Sequence, residues 1–327
     1  CLLSRGLGDV YKRQILFLFT ITLSVVLAAC SNGDKDGDSD KELESVDKDK
    51  IKVVTSFSMI DDMVKEIGGE HVEVKNLVPT GTDPHDYDPK PDDIKHISSA
   101  DLVFYNGLNL EGGSKGWLFK ALESSDFSKE NAIKTSEGVK PKYIKDEDGK
   151  KEVNPHAFID PKVGEKMIKN ITKSLSERNP KNKDYYKENE KAYLKKLHNI
   201  EDDYEKQLGD IPKKDRVFVA SEQAFQYLTD RYDLKEGYIW AIDTDENGSP
   251  EQIKDLVKFI DKNEPSHLFV ESNVDKRPME TVSKESGVSI YKKPIYSDEI
   301  SKEGGVADTY LKYLEYNLDV LTDGLEK

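Results

Sequence analysis

Two histidines and two acidic residues are the side chains in this sequence that could together bind a divalent metal ion. His85 lies in the Pro- and Gly-rich segment PTGTDPHDYDP, and His156 lies in NPHAFIDP. Glu222 follows the apolar run RVFVAS, and Asp298 follows SIYKKPIYS. Imidazole and carboxylate groups suit Mn²⁺ and also Zn²⁺. Because the chain has 2 Cys residues, too few for a Cys-rich site, any metal must be held by His and carboxylates.

Each of these four residues has a more ordinary interpretation when it is taken alone. A His or an acid in a loop after a strand usually caps a helix, forms a turn or faces solvent. Four such residues approaching one cleft, two from each half of the chain, favour a binding site. The other histidines begin predicted strands or lie on predicted helices, so we expect structural or solvent-facing roles for His71, His96, His198 and His267.

Short apolar runs alternate with amphipathic segments from residue 51 onward, which predicts an α/β fold. In the first part of the chain, strands are predicted at 51–57, 71–79 and 101–107, with helices at 59–67 and 92–99 between them. This alternation indicates parallel strands joined by helical crossovers.

A second set of alternating segments follows later in the chain. Strands are predicted at 216–221, 238–242, 267–272 and 289–296, and helices at 224–231, 250–261 and 277–286. Ligands of open α/β sheets bind beyond the carboxyl ends of the strands, which is where the candidate residues stand. The pattern therefore predicts two α/β units that share one binding cleft.

A long helix is predicted between the two units. Residues 182–208 contain no Gly or Pro, and their apolar and tyrosine positions fall on one helical face. About 27 residues would span roughly 40 Å as a helix. The predicted fold class is thus α/β, with two lobes, each a parallel-type sheet flanked by helices, joined by one long rigid helix. We place the lobes at 51–178 and 211–327 and the connecting helix at 179–210.

Residues 1–29 are interpreted as a secretory signal peptide. The apolar run at 15–29 follows basic residues and ends in LAAC, which resembles the lipobox of bacterial lipoproteins. In this interpretation Cys30 is the lipidated first residue of the mature protein, and residues 30–50 form a disordered tether. A plain signal peptide is the alternative. The residues before Lys12 resemble a translated sequencing adapter, so we exclude them from fold reasoning.

The charge balance of the chain argues against nucleic-acid binding. Lys and Arg number 49 against 64 Asp and Glu, for a formal net charge of −15, and this favours cations as partners.

The segment from Asp243 to Lys254 resembles a calcium loop, but a Lys in its twelfth position replaces the required Glu. Glu271 is predicted to pair with Arg277, with direct metal ligation as the less favoured alternative.

Five segments carry a family resemblance in order and spacing: GTDPHDYDP, NPHAFIDP, ASEQAFQYL, FVESNVDKRPM and IYSDEI. They resemble the cluster A-I solute-binding lipoproteins of bacterial manganese and zinc ABC transporters, from about residue 51 to the C-terminus. This resemblance implies that the metal ligands are His85, His156, Glu222 and Asp298. It also implies an extracytoplasmic receptor, anchored to the cell membrane through a lipidated Cys, that hands its metal ion to a membrane permease; we expect a monomer.

Two features resemble the manganese branch of that family. The zinc-preferring branch has His where this chain has Glu222, and it has a His-rich loop where residues 112–153 contain no His. We therefore expect Mn²⁺ as the transported ion, with Zn²⁺ also able to bind. A zinc receptor of the same family, a metal-dependent hydrolase and a surface adhesin are the alternatives. No catalysis is expected, because four protein ligands close the coordination shell. An ordinary His pKa of about 6.5 predicts pronounced metal loss by roughly pH 5.

Overall fold

The computed structural model describes residues 50–145, 149–242 and 248–326, and these residues belong to one compact unit. The predicted signal peptide, Cys30, nearly all of the predicted tether and the start of the calcium-like loop lie outside the described residues. Across the described residues, no helix has the length and apolar character needed to span a membrane. We refer to residues 51–178 as the N-terminal half and to residues 211–326 as the C-terminal half.

A four-stranded parallel sheet forms the centre of the N-terminal half. Its strands are β1 (Ile51–Thr55), β2 (Val72–Asn76), β3 (Leu102–Tyr105) and β4 (Ala132–Lys134), in the order β2-β1-β3-β4. The β1 strand is buried at four of its five residues, as expected for a parallel strand covered on both faces. The three predicted strands are confirmed, and β4 is an edge strand too short to leave a clear pattern in the sequence.

The helices of the N-terminal half are α1 (Ser58–Gly68), α2 (Pro91–Ser98), α3 (Trp117–Ser124) and α4 (Pro161–Arg178). Short 3₁₀ helices lie at Gly69–His71, Gly113–Lys115, Lys129–Asn131, His156–Ile159 and Pro180–Asn182. The α4 helix begins where Asp160 accepts a hydrogen bond from the Lys162 backbone N–H at 3.0 Å, and Pro161 occupies its first position. The 3₁₀ helix at Gly69–His71 ends at His71, so β2 begins at Val72 and His71 does not open this strand as predicted.

An antiparallel pair of short strands follows the parallel sheet. The pair consists of β5 (Tyr143–Lys145) and β6 (Lys151–Val153). The sequence did not predict this pair, because three-residue strands rich in Lys and Glu lack an apolar run.

The predicted long helix is confirmed as α5 (Lys183–Asp210), with 28 residues. At 1.5 Å per residue it is about 42 Å long. One face is buried throughout, at Tyr186, Tyr193, Leu194, Leu197, Ile200, Tyr204 and Leu208. This face packs against α1 and α4 and also reaches the C-terminal half, where Tyr204 donates a hydrogen bond to the Leu314 carbonyl at 2.8 Å. Helix α5 therefore contributes to a core that the two halves share.

The C-terminal half has a less regular sheet than the sequence predicts. Strands β7 (Val217–Val219) and β8 (Lys235–Gly237) pair in parallel. The strands predicted at 238–242, 267–272 and 289–296 are wrong as regular strands, because only isolated bridges form there. Hydrogen bonds still hold these segments beside β7, such as the Phe269 N–H to the Val219 carbonyl at 2.8 Å. Pro294 has no N–H to donate, which interrupts pairing in the last segment.

The remaining helices are α6 (Gln226–Arg231), α7 (Pro250–Asn263), α8 (Arg277–Ser286) and α9 (Tyr310–Leu325). Ser249 and Gln252 form a capping box at the start of α7, each side chain bonding the other residue's backbone N–H. Helix α9 was not predicted, although its buried residues recur at helical spacing. A second, smaller core lies in the C-terminal half between β7, α7 and α8.

Candidate metal centre

The four predicted ligand residues lie in loops that follow sheet segments or at the start of a 3₁₀ helix. His85 lies between β2 and α2, and His156 is the first residue of the 3₁₀ helix that precedes α4. Glu222 comes three residues after β7, and Asp298 comes three residues after the bridge at Ile295. These positions match the prediction that loops beyond the strand ends supply the site.

The Nε2 atom of His156 is the common point of contact among these side chains. It lies 3.0 Å from His85 Nε2 and 3.1 Å from Asp298 Oδ1. Glu222 Oε1 lies 3.6 Å from the same atom, and His85 Nε2 lies 3.8 Å from Asp298 Oδ1. His85, His156 and Asp298 each offer one donor atom within 4.8 Å of the other two, and Glu222 joins them through its contact with His156.

All four side chains are nearly fully buried. Their exposed fractions are 4% for His85, 0% for His156, 1% for Glu222 and 3% for Asp298. Two carboxylates at this depth need positive charge beside them, because an uncompensated buried charge costs several kcal/mol. A divalent cation would supply that charge, and in its absence a proton on His85 supplies positive charge beside the carboxylates. The donor set and its burial therefore fit a bound metal ion.

The ionisation of the site reflects this need for positive charge. Burial lowers the pKa of His85, but its hydrogen bond to Asp298 and the charges of Asp298 and Glu222 outweigh burial and raise the pKa to about 9. Burial raises the pKa of Asp298, yet His156 and His85 hold that pKa well below its usual range. His85 therefore carries a proton at neutral pH that a metal ion must displace, and the ordinary pKa assumed from the sequence is wrong for this residue.

Contacts from both halves hold the segment that carries His85. The His85 backbone N–H donates to Asp83 Oδ1 at 2.7 Å, and Trp117 Nε1 donates to the Pro84 carbonyl at 2.9 Å. From the C-terminal half, Glu299 accepts a hydrogen bond from the Gly81 backbone N–H. The backbone that carries the His85 imidazole is thus held by a turn, by the Trp117 indole and by Glu299, the residue after Asp298.

Buried glutamates organise the strand ends near the site in each half. Glu271 accepts hydrogen bonds from the backbone N–H groups of Ser221 at 3.2 Å and Glu222 at 2.9 Å, and burial raises its pKa to about 7. Glu111 accepts from the Asn106 N–H at 2.7 Å and the Gly107 N–H at 3.1 Å. The sequence favoured a structural role for Glu271 but predicted neither these backbone partners nor the role of Glu111, because contacts with backbone N–H groups leave no spacing pattern.

The predicted ion pair between Glu271 and Arg277 is wrong. Arg277 has a side chain that is 83% exposed, and its guanidinium pairs with Asp275. Glu271 instead uses both carboxylate oxygens to bind backbone N–H groups beside Glu222. Its role is therefore structural, as favoured, but its partners are the backbone of the segment that carries a candidate ligand.

Asn154 is a further residue of the site that the sequence analysis passed over. Its Oδ1 atom lies 2.8 Å from His156 Nδ1 and accepts from the His156 backbone N–H at 3.0 Å. Asn106 supports the same turn by donating to the Pro155 carbonyl at 3.0 Å. An Asn two residues before a His could have been recognised, since Asn side chains commonly accept from the backbone two residues ahead.

The other histidines lie in structural or exposed positions, as predicted. His71 packs edge-on against the Tyr185 ring with centroids 4.7 Å apart, and His267 Nδ1 lies 2.9 Å from the Gly324 carbonyl. The His96 side chain is 42% exposed and pairs with Asp92.

A second cluster of metal-binding side-chain types lies on the surface, and it consists of Glu165, His198 and Glu201. The His198 side chain is 47% exposed. Lys162 Nζ lies 2.8 Å from Glu165 Oε2 and 3.4 Å from Glu201 Oε2, and Lys169 binds the other oxygen of Glu165. Lysine ammonium groups therefore hold the positions that a cation would take.

Comparisons with known proteins identify the family of this chain. A family model described as ZnuA, zinc-uptake complex component A periplasmic, matches residues 53–324. The manganese ABC transporter substrate-binding lipoprotein PsaA of Streptococcus mitis is 40% identical over 278 residues, which are 85% of this chain and 90% of that relative. The iron ABC transporter substrate-binding lipoprotein MtsA of Streptococcus pyogenes serotype M1 is also 40% identical, covering 85% and 89%.

A solved structure shows the same fold. The Mn-bound periplasmic metal binding protein from candidatus Liberibacter asiaticus matches with a TM-score of 0.76 and 29% identity, over 85% of this chain and 100% of that chain. The family model and the relatives at 40% identity confirm the resemblance drawn from the five sequence motifs. The chain belongs to the ZnuA family.

Proposed function

We propose that this protein is the extracytoplasmic receptor of a metal ABC importer and that its cargo is Mn²⁺. The observation that carries the proposal is the convergence of two imidazoles and two carboxylates on His156 Nε2, with all four side chains at most 4% exposed. The names of the relatives, which describe substrate-binding lipoproteins of manganese and iron ABC transporters, support the same class of function.

The proposed ligands are His85, His156, Glu222 and Asp298. In the metal-bound protein each imidazole would donate the lone pair of Nε2, and each acid would donate one or two oxygens. Two carboxylates that chelate through both oxygens would give Mn²⁺ a coordination number above four, whereas Zn²⁺ favours four ligands. The presence of Glu222 in place of a third imidazole is the feature that favours Mn²⁺ in this proposal.

The metal ion is the cargo of this protein and not a catalytic cofactor. The names of the relatives describe binding components of transporters, and we propose no reaction at the site. The partner would be a membrane permease, and the protein would act as a monomer held at the membrane by a lipid on Cys30. Replacement of Cys30 by Ser should release the protein from the membrane fraction without changing metal affinity.

Metal content and titration test the proposed cargo. Protein purified without chelator should contain Mn²⁺ or Zn²⁺ by elemental analysis, and both ions should bind in titrations of the metal-free protein. Zn²⁺ should form the tighter complex, as the Irving–Williams order requires, while only Mn²⁺ supports uptake. Efficient zinc delivery with poor manganese delivery would overturn Mn²⁺ as the cargo and leave the receptor function intact.

The Glu222→His variant tests why Mn²⁺ is chosen. It replaces an acid that can bind through two oxygens by a single nitrogen donor, so the ratio of Zn²⁺ to Mn²⁺ affinity should rise. Competition titration of the two ions against wild type gives this ratio. Glu280→His, which adds an imidazole at an exposed position on α8 away from the four side chains, is the control. An unchanged ratio in Glu222→His would argue against Glu222 as a ligand.

A further inference from the structure

We infer that Asn154 is a positioning residue for metal binding. Its side-chain amide holds the His156 ring in the tautomer that presents Nε2 to the metal, and it ties this ring to the segment that carries Glu222. The inference rests on the proposed function, since it assumes that these two residues are ligands. Asn154 thereby joins a candidate ligand of the N-terminal half to one of the C-terminal half.

The orientation of the Asn154 amide follows from its partners. The His156 backbone N–H can only donate, so the atom that it meets at 3.0 Å must be the amide oxygen Oδ1. On the other side, the amide faces the Gln223 carbonyl at 2.9 Å, which can only accept. The atom there must therefore be the nitrogen Nδ2, and the two assignments agree.

The tautomer of the His156 ring follows from that orientation. Nδ1 lies 2.8 Å from Asn154 Oδ1, and an amide oxygen has no proton to donate. Nδ1 must therefore carry the hydrogen of this contact. In the neutral ring the lone pair is then on Nε2, the atom that faces His85, Glu222 and Asp298. The ring is thus set for metal ligation before any metal arrives, which is how outer partners act on ligand histidines.

The other end of the amide reaches the second half of the site. Asn154 Nδ2 donates to the Gln223 carbonyl, and Gln223 follows Glu222 directly in the chain. The Gln223 backbone N–H donates in turn to the Trp240 carbonyl at 3.0 Å. One side chain therefore connects the His156 imidazole to the backbone beside Glu222.

Asn154 is itself held on its backbone and is fully buried. Its N–H donates to the Lys142 carbonyl at 3.0 Å, and its carbonyl accepts from Tyr227 Oη at 2.9 Å. The same tyrosine oxygen accepts from the Lys142 N–H at 2.8 Å. These contacts fix the backbone from which the amide reaches His156 and Gln223, so the amide can impose an orientation on the histidine ring.

Two variants separate the two functions of the amide. Asn154→Ala removes the acceptor for Nδ1 and the donor to Gln223, whereas Asn154→Asp keeps an acceptor for Nδ1. Asn170→Ala is the control, because the Asn170 amide donates to the carbonyls of Thr135 and Glu137 away from the site. His156→Ala tests the proposed function independently of Asn154.

The first measurement is the tautomer of His156 in the metal-free protein. Nitrogen chemical shifts of the ring, recorded by NMR across a pH series, report which nitrogen carries the proton in the neutral ring. Wild type and Asn154→Asp should show a proton on Nδ1, and Asn154→Ala should show a mixture of tautomers. A proton on Nε2 in wild type or in Asn154→Asp would overturn the inference, even if Asn154→Ala does not fold.

The second measurement is Mn²⁺ affinity by competition titration with MnCl₂. Loss of an outer partner of a ligand histidine typically weakens metal binding by roughly 10- to 100-fold, and we expect this loss in Asn154→Ala but not in Asn170→Ala. If His156→Ala loses binding while Asn154→Ala stays within about twofold of wild type, well below that range, the inference fails and the proposed function survives. If His156→Ala binds Mn²⁺ like wild type, the proposed ligand set itself fails.

Discussion

The two clusters of histidine and acid in this protein differ in where their positive charge comes from. In the buried cluster around His156 Nε2, positive charge beside the two acids is carried on the His85 imidazole, which can lose its proton. In the exposed cluster around Glu165, the charge comes from Lys162 and Lys169, whose ammonium groups are part of the chain. A metal ion can replace a proton far more readily than it can replace a lysine, so only the buried cluster is suited to exchange cations.

The pKa values of the two clusters express the same difference. Hydrogen bonds from Lys162 and Lys169 lower the pKa of Glu165 to about 2, and its surroundings are already neutralised at any physiological pH. The charges of Asp298 and Glu222 overcome burial to raise the pKa of His85 to about 9. Residue types alone therefore do not identify a metal site. Whether a cluster of His and acid can take up a metal ion depends on the cationic side chains beside it.

The largest expected contrast is between the two histidines. His156→Ala should weaken Mn²⁺ binding by more than the roughly 10- to 100-fold typical of an outer partner, because it removes the donor that contacts all the others. His198→Ala should leave the affinity unchanged. Isothermal titration of both metal-free variants compares them directly. Loss of binding in His198→Ala would show that the exposed cluster participates.

Opposite pH trends should distinguish the metal-free from the metal-bound protein. The pKa of His85 is about 9 in the fold against about 6.5 unfolded, so its contribution to stability is complete below about 6.5 and is lost as pH rises through about 9. Mn²⁺ affinity should rise over the same interval, because a smaller fraction of His85 then carries a proton that the metal ion must displace. Thermal unfolding with EDTA and with MnCl₂ measures both trends. Parallel trends would contradict the protonation of His85 in the metal-free site.

A smaller contrast is expected between a buried and an exposed charge near the site. Glu271→Ala leaves the N–H groups of Ser221 and Glu222 without their acceptor, which costs about 1–3 kcal/mol for each buried group. Arg277→Ala removes an exposed ion pair and should destabilise the fold far less. Chemical denaturation of the metal-free variants gives both values. Equal costs would mean that Glu271 is not the organising acceptor.

The smallest effect is expected at the exposed cluster itself. Glu165→Gln removes the ion pairs with Lys162 and Lys169 and should lower the free energy of unfolding by less than Glu271→Ala does, since the two ammonium groups are about half exposed and water screens the pairs. The change should shrink further at high salt. A larger, salt-independent loss measured by denaturation would show that this cluster is part of the core structure.

The sequence predicted the parts of the fold whose patterns are long or strongly apolar. Helix α5 was recognised because six tyrosine and aliphatic positions recur on one face without an intervening Gly or Pro, and β1 and β3 because of their apolar runs. The C-terminal sheet was predicted less well. The apolar run at 238–242 attracted the assignment, whereas β8 uses Lys235–Gly237, whose only large buried group is an acid. Tertiary contacts, which no local pattern records, decide such cases.

The candidate ligand residues were identified from the sequence more completely than the sheet segments that carry them. The four candidate ligands could be selected because each has a metal-binding side chain at a strand end or before a helix. Asn154, Glu271 and Glu111 could not be selected in the same way, since their roles depend on which backbone N–H groups meet them in space. Whether the four side chains bind Mn²⁺ stays a prediction until it is measured.

Burial of the donor side chains has a consequence for the residence time of the ion. Because no candidate ligand side chain is more than 4% exposed, a chelator in solution could not reach an ion bound to these side chains until the protein opens. Stripping should then follow first-order kinetics whose rate stops rising with chelator concentration, and that limiting rate would report the opening of the fold. The rate of metal release would then be set by opening of the fold and not by metal affinity. A permease that accelerates delivery would have to promote this opening.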